Sequence, residues 1–234
     1  MKYRVFPGTS IRVSEIGFGT WTISTGWWGT KSDAEAIAMM RRALDDFGIT
    51  FFDAADAYGN GRAERQIAEA FRGRRQDVVI GTKVGYDIYD EAAQRARRGQ
   101  NELPMRTDPT FIRFAVDKCL ERLETDYIDV LQLHNAKMEH VRDPELWETM
   151  RTLQREGKIR AWGAAFGPAI IWMVLMSRSR STSSTASYNQ PIAGPNAAPH
   201  ARIFPSRCSA RNVSQSSGSR TCSIFALWSC STSM

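Results

Sequence analysis

Phe51-Phe52-Asp53-Ala54-Ala55-Asp56-Ala57-Tyr58-Gly59 is the stretch on which the reading of this chain turns. An apolar run from Ile49 to Phe52 stops at Asp53, and Tyr58 follows five residues later. An apolar run that ends in an acid reads as a buried strand whose last residue emerges at the rim of a sheet. Two more runs end the same way. Asp77-Val78-Val79-Ile80-Gly81-Thr82 closes on Lys83, and Tyr127-Ile128-Asp129-Val130-Leu131-Gln132-Leu133 closes on His134. Asp53, Tyr58, Lys83 and His134 thus stand at or just past the carboxyl ends of three successive strands. In a (β/α)8 barrel that rim carries the chemistry.

On the amino-terminal side, residues 2–6 and 11–16 flank Pro7-Gly8-Thr9-Ser10 and read as a small hairpin. Ile16 to Trp21 is the first strand of the main sheet. Residues 22–31 form a loop whose Trp27 and Trp28 either line a pocket or pack the loop down. Ser32-Asp33-Ala34-Glu35 has the spacing of a capping box. Ile37, Met40, Leu44 and Phe47 mark one apolar helical face after it, and Gly48 supplies the stop.

On the carboxyl side, a helix covers Arg62 to Phe71 with Ile67 and Phe71 inward, and residues 77–82 form the third strand. Residues 85–107 make a long connection leaving the rim at Lys83, either a lid over a substrate or a solvated loop. Asp108-Pro109 and Asp143-Pro144 each place a cap before a proline at the first helical position. Ile112, Val116, Leu120 and Leu123 form the buried face of the first of these helices. Leu146, Trp147, Met150 and Leu153 form that of the second. Residues 127–133 and 158–165 are strands four and five. Strands alternating with helices predict an α/β fold of right-handed βαβ units, a (β/α)8 barrel type made incomplete by having five strands. No GxGxxG follows the first strand, which argues against a Rossmann dinucleotide site.

The motifs around Asp53 and Tyr58, Gly81-Thr82-Lys83 and Leu131-Gln132-Leu133-His134-Asn135 resemble the Asp, Tyr, Lys and His signatures of the aldo/keto reductases. Gly17-Phe18-Gly19-Thr20-Trp21 resembles that family's first barrel strand, and the resemblance covers residues 3–169. It implies a barrel plugged at the bottom by the hairpin. It also implies NADPH-dependent reduction of an aldehyde or ketone, with Tyr58 as general acid–base, Lys83 and Asp53 tuning it, and His134 positioning the substrate. Gly19, Thr20, Trp21 and Asp53 would contact the cofactor, and Trp21 and His134 the substrate. The family's Ser-Asn pair after strand five, which holds the nicotinamide carboxamide, is replaced here by Ala165 and Phe166.

The chemistry is consistent on its own terms. Tyrosine, with an ordinary pKa near about 10, is a reluctant acid at neutral pH. A neighbouring ammonium lowers that pKa, and a carboxylate holds the ammonium in place. No side chain donates hydride, so a nicotinamide must. Each residue alone has an ordinary reading: a capping aspartate, a packed loop tyrosine, a solvated lysine, a structural histidine. Only the four together carry the catalytic one. Two alternatives stand beside it, a catalytically inactive truncated product and a non-enzymatic regulatory subunit on the same scaffold, like the barrel subunits of potassium channels.

The chain has 234 residues, against about 250 for a typical whole barrel. Its formal charge of +6 lies entirely in the last third. Beyond residue 170 the only charged side chains are six arginines, and removing these from 31 Lys+Arg leaves 25 bases against 25 acids. Nucleic acid is therefore not an expected partner, whereas a small carbonyl compound is. The four cysteines form no CxxC pair, so no metal site is expected. The amino terminus lacks the apolar segment of a signal peptide, and the longest apolar run, Ala169 to Met176, falls short of the roughly 20 residues of a membrane helix. A cytoplasmic setting without membrane contact is expected. Residues 171–234 contain sixteen serines and no Asp, Glu or Lys, and they show no sustained period of 3.6 or 2. Two domains are therefore read, a barrel portion over 1–170 and an irregular tail over 171–234. The hypothesis for the tail is a change of reading frame near Gly167–Ile170, and it fails if neither alternative frame of the coding DNA restores a family-like second half. Five strands cannot close a barrel, so two exposed sheet edges, a bare inner apolar face and poor solubility or partial order are expected.

Overall fold

The structure, a computed structural model, describes residues 1–6, 8–26, 29, 31–96 and 103–166. The loop tryptophans Trp27 and Trp28 and the whole tail lie outside the described residues. The elements run β1 (Tyr3–Val5), β2 (Arg12–Ser14), β3 (Gly17–Gly19), α1 (Trp21–Ser24), α2 (Asp33–Asp45), β4 (Phe51–Asp53) and α3 (Arg62–Ala70). They continue with β5 (Val79–Val84), α4 (Glu91–Ala96), α5 (Pro109–Leu123), β6 (Ile128–Ala136), α6 (Met138–Val141), α7 (Pro144–Arg155) and β7 (Ile159–Phe166).

Strands β3-β4-β5-β6-β7 lie side by side in sequence order and pair in parallel throughout. The register puts Gly17, Phe51 and Val79 in one row, and Gly19, Asp53, Gly81 and Val130 in the next. Because side chains alternate along a strand, these rows share one face with Lys83 and Gln132. Phe52, Ile80, Leu131 and Leu133 point to the other face, where they are buried with Met40, Ile67, Ile112, Leu146 and Met150 of the helices. Phe52 meets Phe71 at 4.6 Å between ring centroids. Burying a side chain of that size contributes about 1.5–3 kcal/mol.

The antiparallel β1–β2 hairpin covers the lower part of the concave face. Phe6, Ile11 and Val13 pack there on Val79, Val130, Ala161 and Phe51. The Phe51 ring occupies the room that Gly17 leaves, since a Cβ at Gly17 would lie 2.7 Å from Phe51 Cδ1. The hairpin is thus the plug the resemblance implies. The inner apolar face expected to lie bare is covered by it at this end.

The caps follow the sequence. Ser32 Oγ accepts from Glu35 N at 3.3 Å while Ser32 N donates to Glu35 Oε2 at 2.9 Å, closing the capping box of α2. Asp108 accepts from Phe111 N at 2.9 Å, and Asp143 from Glu145 N at 3.0 Å, each ahead of its proline. Four local expectations need correction. Phe47 is 58% exposed, because α2 has already ended at Asp45 and helical spacing no longer places its side chain. The first strand ends at Gly19, since Thr20 turns the chain into α1, which Trp21 opens. The third strand begins at Val79, after a 3-10 turn over Arg75–Asp77. The fourth runs past His134 to Ala136.

Candidate active site

The chain does not leave the sheet when β4 ends. Ala54 N donates to Gly81 O at 2.8 Å and Asp56 N to Lys83 O at 3.1 Å, so the segment before Tyr58 stays bound to β5. It then folds back through three residues with positive φ, Gly59 (63°), Asn60 (52°) and Gly61 (79°). Glycine is required at two of them. A Cβ on Gly59 would meet Ser24 O at 2.5 Å, and one on Gly61 would meet Arg122 Cδ at 2.3 Å. This turn carries Tyr58 to the concave side of β5.

There Lys83 Nζ lies 2.8 Å from both oxygens of Asp53, 2.7 Å from Ala54 O and 3.2 Å from Tyr58 Oη. An ammonium has three donors and no acceptor, so Tyr58 Oη accepts from it and keeps its own hydrogen for another partner. Burial pulls the Lys83 pKa down, but Asp53 and then Tyr58 outweigh it, and the ammonium is held above its usual range. Tyr58 shows the converse. Burial drives its phenol up and outweighs the downward pull of Lys83. The expectation that Lys83 lowers the Tyr58 pKa therefore holds for the pair contact, while the net direction is upward. The phenol is kept protonated at neutral pH.

The His134 ring stands edge-on to Tyr58 at 5.7 Å and to Tyr86 at 4.8 Å between centroids. Burial, reinforced by the charge of Lys83, lowers its pKa to about 3, so the imidazole is neutral. Its Nδ1 is buried without a hydrogen-bond partner, and Nε2 is not. A buried N–H without an acceptor is rarer and more costly than a bare acceptor nitrogen. The tautomer that follows has its proton on Nε2, the nitrogen able to donate to a ligand.

All four sequence-predicted catalytic residues thus converge on one place. Gly19 pairs with Asp53, and Thr20 donates to Asp53 O through its N–H at 3.0 Å and its hydroxyl at 2.9 Å. Thr20 is fully buried, so its hydroxyl braces the Asp53 backbone rather than facing a ligand. Trp21 follows it, half-buried, at the start of α1. Ala165 and Phe166 end β7, also half-buried.

Sequence reasoning missed two groups. Tyr86 touches His134 and accepts from Asn135 Nδ2 at 2.9 Å. The signal was available, because Asn135 directly follows His134 and Tyr86 lies three residues past Lys83. The described parts of the 85–107 connection are packed down in part, although α4 within them has no buried residue. Tyr86, Ile88 and Leu103 are buried together against Ala57. The second group is Asp56, fully buried, with neither carboxyl oxygen in a hydrogen bond of ordinary geometry. Burial, and next the neighbouring Glu64, push its pKa well above the carboxylate range. Behind the site it is thus a buried carboxyl whose protonated form is favoured.

Among the described residues no group of three or more His, Cys, Asp or Glu side chains is placed to hold a metal, and no helix is long and apolar enough to cross a membrane. A sequence model described as "Aldo/keto reductase family" matches residues 15–192, which extends past residue 169, where the resemblance read by eye stops. Aldo-keto reductase YhdN of Bacillus subtilis is 36% identical over 172 residues, covering 70% of this chain and 47% of that protein. The NADH-specific methylglyoxal reductase of Escherichia coli is 32% identical over 161 residues, covering 67% and 49%. The holo form of an aldo-keto reductase from Bacillus halodurans superposes with a TM-score of 0.60 at 33% identity, covering 75% of this chain and 54% of that one. An aldo-keto reductase from Klebsiella pneumoniae in complex with NADPH gives 0.54 at 28% identity, covering 75% and 54%. The chain spans about half the length of the curated relatives it matches. With the five-stranded parallel sheet and the rim described above, these matches identify the chain as a member of the aldo/keto reductase family.

Proposed function

We propose that this chain carries the proton-donating half of an NADPH-dependent carbonyl reductase acting on an aldehyde or ketone. The observation that carries this reading is the contact of Lys83 Nζ with both Asp53 and the Tyr58 hydroxyl, with His134 edge-on to the same phenol. A carbonyl oxygen placed against Tyr58 and His134 would accept two hydrogen bonds, one from the phenol and one from Nε2–H. As negative charge develops on that oxygen, the phenol proton moves to it. Lys83 stabilises the phenolate that remains, and Asp53 keeps Lys83 charged and fixed. Neutral His134 orients the oxygen without competing as an acid, because its conjugate acid is too strong to persist at neutral pH.

The reduced nicotinamide, when bound, supplies the hydride that no side chain can. The residues fit its reactive end. Tyr58 retains an uncommitted hydroxyl hydrogen, and the rim of β3 and β4 presents Gly19, Trp21 and Asp53 beside it, with Thr20 holding Asp53 in place. NADPH is the form proposed, on the family default and the NADPH-bound relative. NADH is the direct competitor, since a relative of similar identity is NADH-specific.

Purified full-length chain should show quenching of tryptophan fluorescence by NADPH at lower concentration than by NADH. It should also oxidise NADPH in the presence of a simple aldehyde. Tyr58→Phe should reduce turnover by about 100- to 10,000-fold, the range for loss of a positioned acid, while leaving quenching unchanged. Turnover that survives Tyr58→Phe would refute the assignment. Quenching without turnover in the parent chain would favour a cofactor-binding protein that is not an enzyme.

A further inference from the structure

Behind the sheet, on the face opposite Lys83, lies a polar cluster that the proposed chemistry does not use. Thr82, the neighbour of Lys83 on β5, donates to Glu64 Oε1 at 2.6 Å. Arg122 of α5 donates to Glu64 Oε2 at 2.6 Å through Nε, to Tyr89 Oη at 2.9 Å through Nη1 and to Cys119 Sγ at 3.4 Å through Nη2. Glu64 and Thr82 are fully buried. The guanidinium is a rigid fork, and three of its nitrogens are committed in three directions.

Two of those directions lead to the two loops that wall the candidate site. Glu64 opens α3 directly after the turn that carries Tyr58, and Gly61 of that turn lies flush against the Arg122 side chain. Tyr89 belongs to the segment after β5 that carries Tyr86. Its N–H donates to Asp87 Oδ1 at 3.1 Å, and it packs with Tyr86, Ile88 and Leu103 around Ala57. The bond to Tyr89 satisfies a guanidinium N–H and at the same time ties Arg122 to a second loop. One planar group thus bridges two loops that are far apart in sequence.

We propose that Arg122 is a positioning residue that locks the Tyr58 turn to the Tyr86 segment, so that the phenol and the aromatic wall beside His134 keep one relative placement. This rests on the catalytic reading of Tyr58 for its importance to turnover, but not for its structural test. Lysine at this position would keep a charge for Glu64 and lose the fork to Tyr89. Methionine would lose both.

The structural test labels the full chain with 3-fluorotyrosine, and the Tyr58, Tyr86 and Tyr89 signals are assigned through single Phe variants. In Arg122→Met the Tyr58 and Tyr86 signals should both shift and broaden, while Tyr3 and Tyr127, at the opposite end of the sheet, stay in place. Tyr89→Phe, a milder change, should move the Tyr86 signal and spare Tyr58. If Arg122→Met moves only Tyr89, the proposal is wrong. If Arg122→Met disturbs every signal, Tyr89→Phe decides alone, and an unmoved Tyr86 then overturns the proposal. In the kinetic arm, Arg122→Lys should lower kcat by up to about 100-fold, the cost of roughly an ångström of misplacement, with KM for NADPH unchanged. A parent chain without turnover would count against the reductase reading and leave the fluorine result standing.

Discussion

His134 gives the most quantitative handle on the site. Burial, and then the charge of Lys83, lower its pKa from 6.5 to about 3. The unfolded chain therefore binds a proton near pH 6.5 that the folded chain refuses, and stability falls as pH drops through 6.5 and levels off only near 3. At about 1.4 kcal/mol per unit, the loss is about 2 kcal/mol between pH 7 and 5 and approaches 5 kcal/mol below pH 3. That is a large share of a typical domain stability of about 5–15 kcal/mol. The perturbation is His134→Gln, which keeps a polar side chain and cannot titrate. Urea denaturation of both proteins at pH 7 and pH 5 isolates the histidine, because every other titrating group is shared. The parent should lose about 2 kcal/mol more than the variant over that interval. Proton NMR supplies an independent check. Of the three histidines, the ring signal missing from His134→Gln should not titrate in the parent at pH 5. Equal losses in the two proteins, or a His134 signal that titrates near 6.5, would refute the argument.

Two further predictions test buried carboxyl groups outside the tetrad. Asp129 is 1% exposed and accepts from Arg75 Nη2 at 2.7 Å, from Ile80 N at 2.9 Å and from Arg160. Asp129→Ala strands those donors and should cost about 3 kcal/mol, the low end for a broken buried pair because Arg160 remains in contact with water, as read from the urea midpoint. Asp56→Asn removes a carboxyl whose ionised form burial disfavours. The parent loses stability as pH rises above the ordinary carboxylate range, so the variant should gain on it between pH 4 and pH 8. A stability difference that is flat with pH would show that Asp56 has a partner when ionised.

What could be read from the residues was mostly local. Ser32, Asp108 and Asp143 announce their helices because a cap and its N–H partner lie within three residues of each other. The rim residues were legible because Asp53, Lys83 and His134 each close an apolar run, even though β5 and β6 themselves continue past the last two. Phe47 was misread because spacing alone does not say where a helix stops. Arg122, Glu64 and Tyr89 were missed because 58 and 33 residues of chain separate Arg122 from its two partners, and each of the three looks like an ordinary helix or loop residue. Asp129 is an acid in the middle of an apolar run. Its partners Arg75 and Arg160 come from 54 and 31 residues away, a pairing that only the sheet register brings about. The tail and its suspected frame change lie outside the described residues.

The placement of the tetrad within the sheet separates two parts of the proposed activity. Asp53, Lys83 and His134 stand on β4, β5 and β6, each of which is paired on both sides. Asp53 is laddered to Gly19 and Gly81, Lys83 is paired with Gln132 and accepts from Asp56 N, and His134 follows Leu133 where the β6–β7 register shifts. The acid–base apparatus is thus a property of the sheet interior. Of the residues assigned to grip the cofactor, all but Asp53 are distributed differently. Gly19 ends β3, with Thr20 and Trp21 next to it, and Ala165 and Phe166 end β7. Among the described residues each of these strands pairs on one side only. Strands held by a single ladder open at lower free energy than interior ones. Cofactor affinity should therefore respond to whatever neighbours the outer strands, while the protonation states of Tyr58, Lys83 and His134 should not. The replacement of the family's Ser-Asn pair by Ala165 and Phe166 falls on the cofactor side of that division. On the proposed function it should weaken the hold on a nicotinamide without touching the groups that handle the proton.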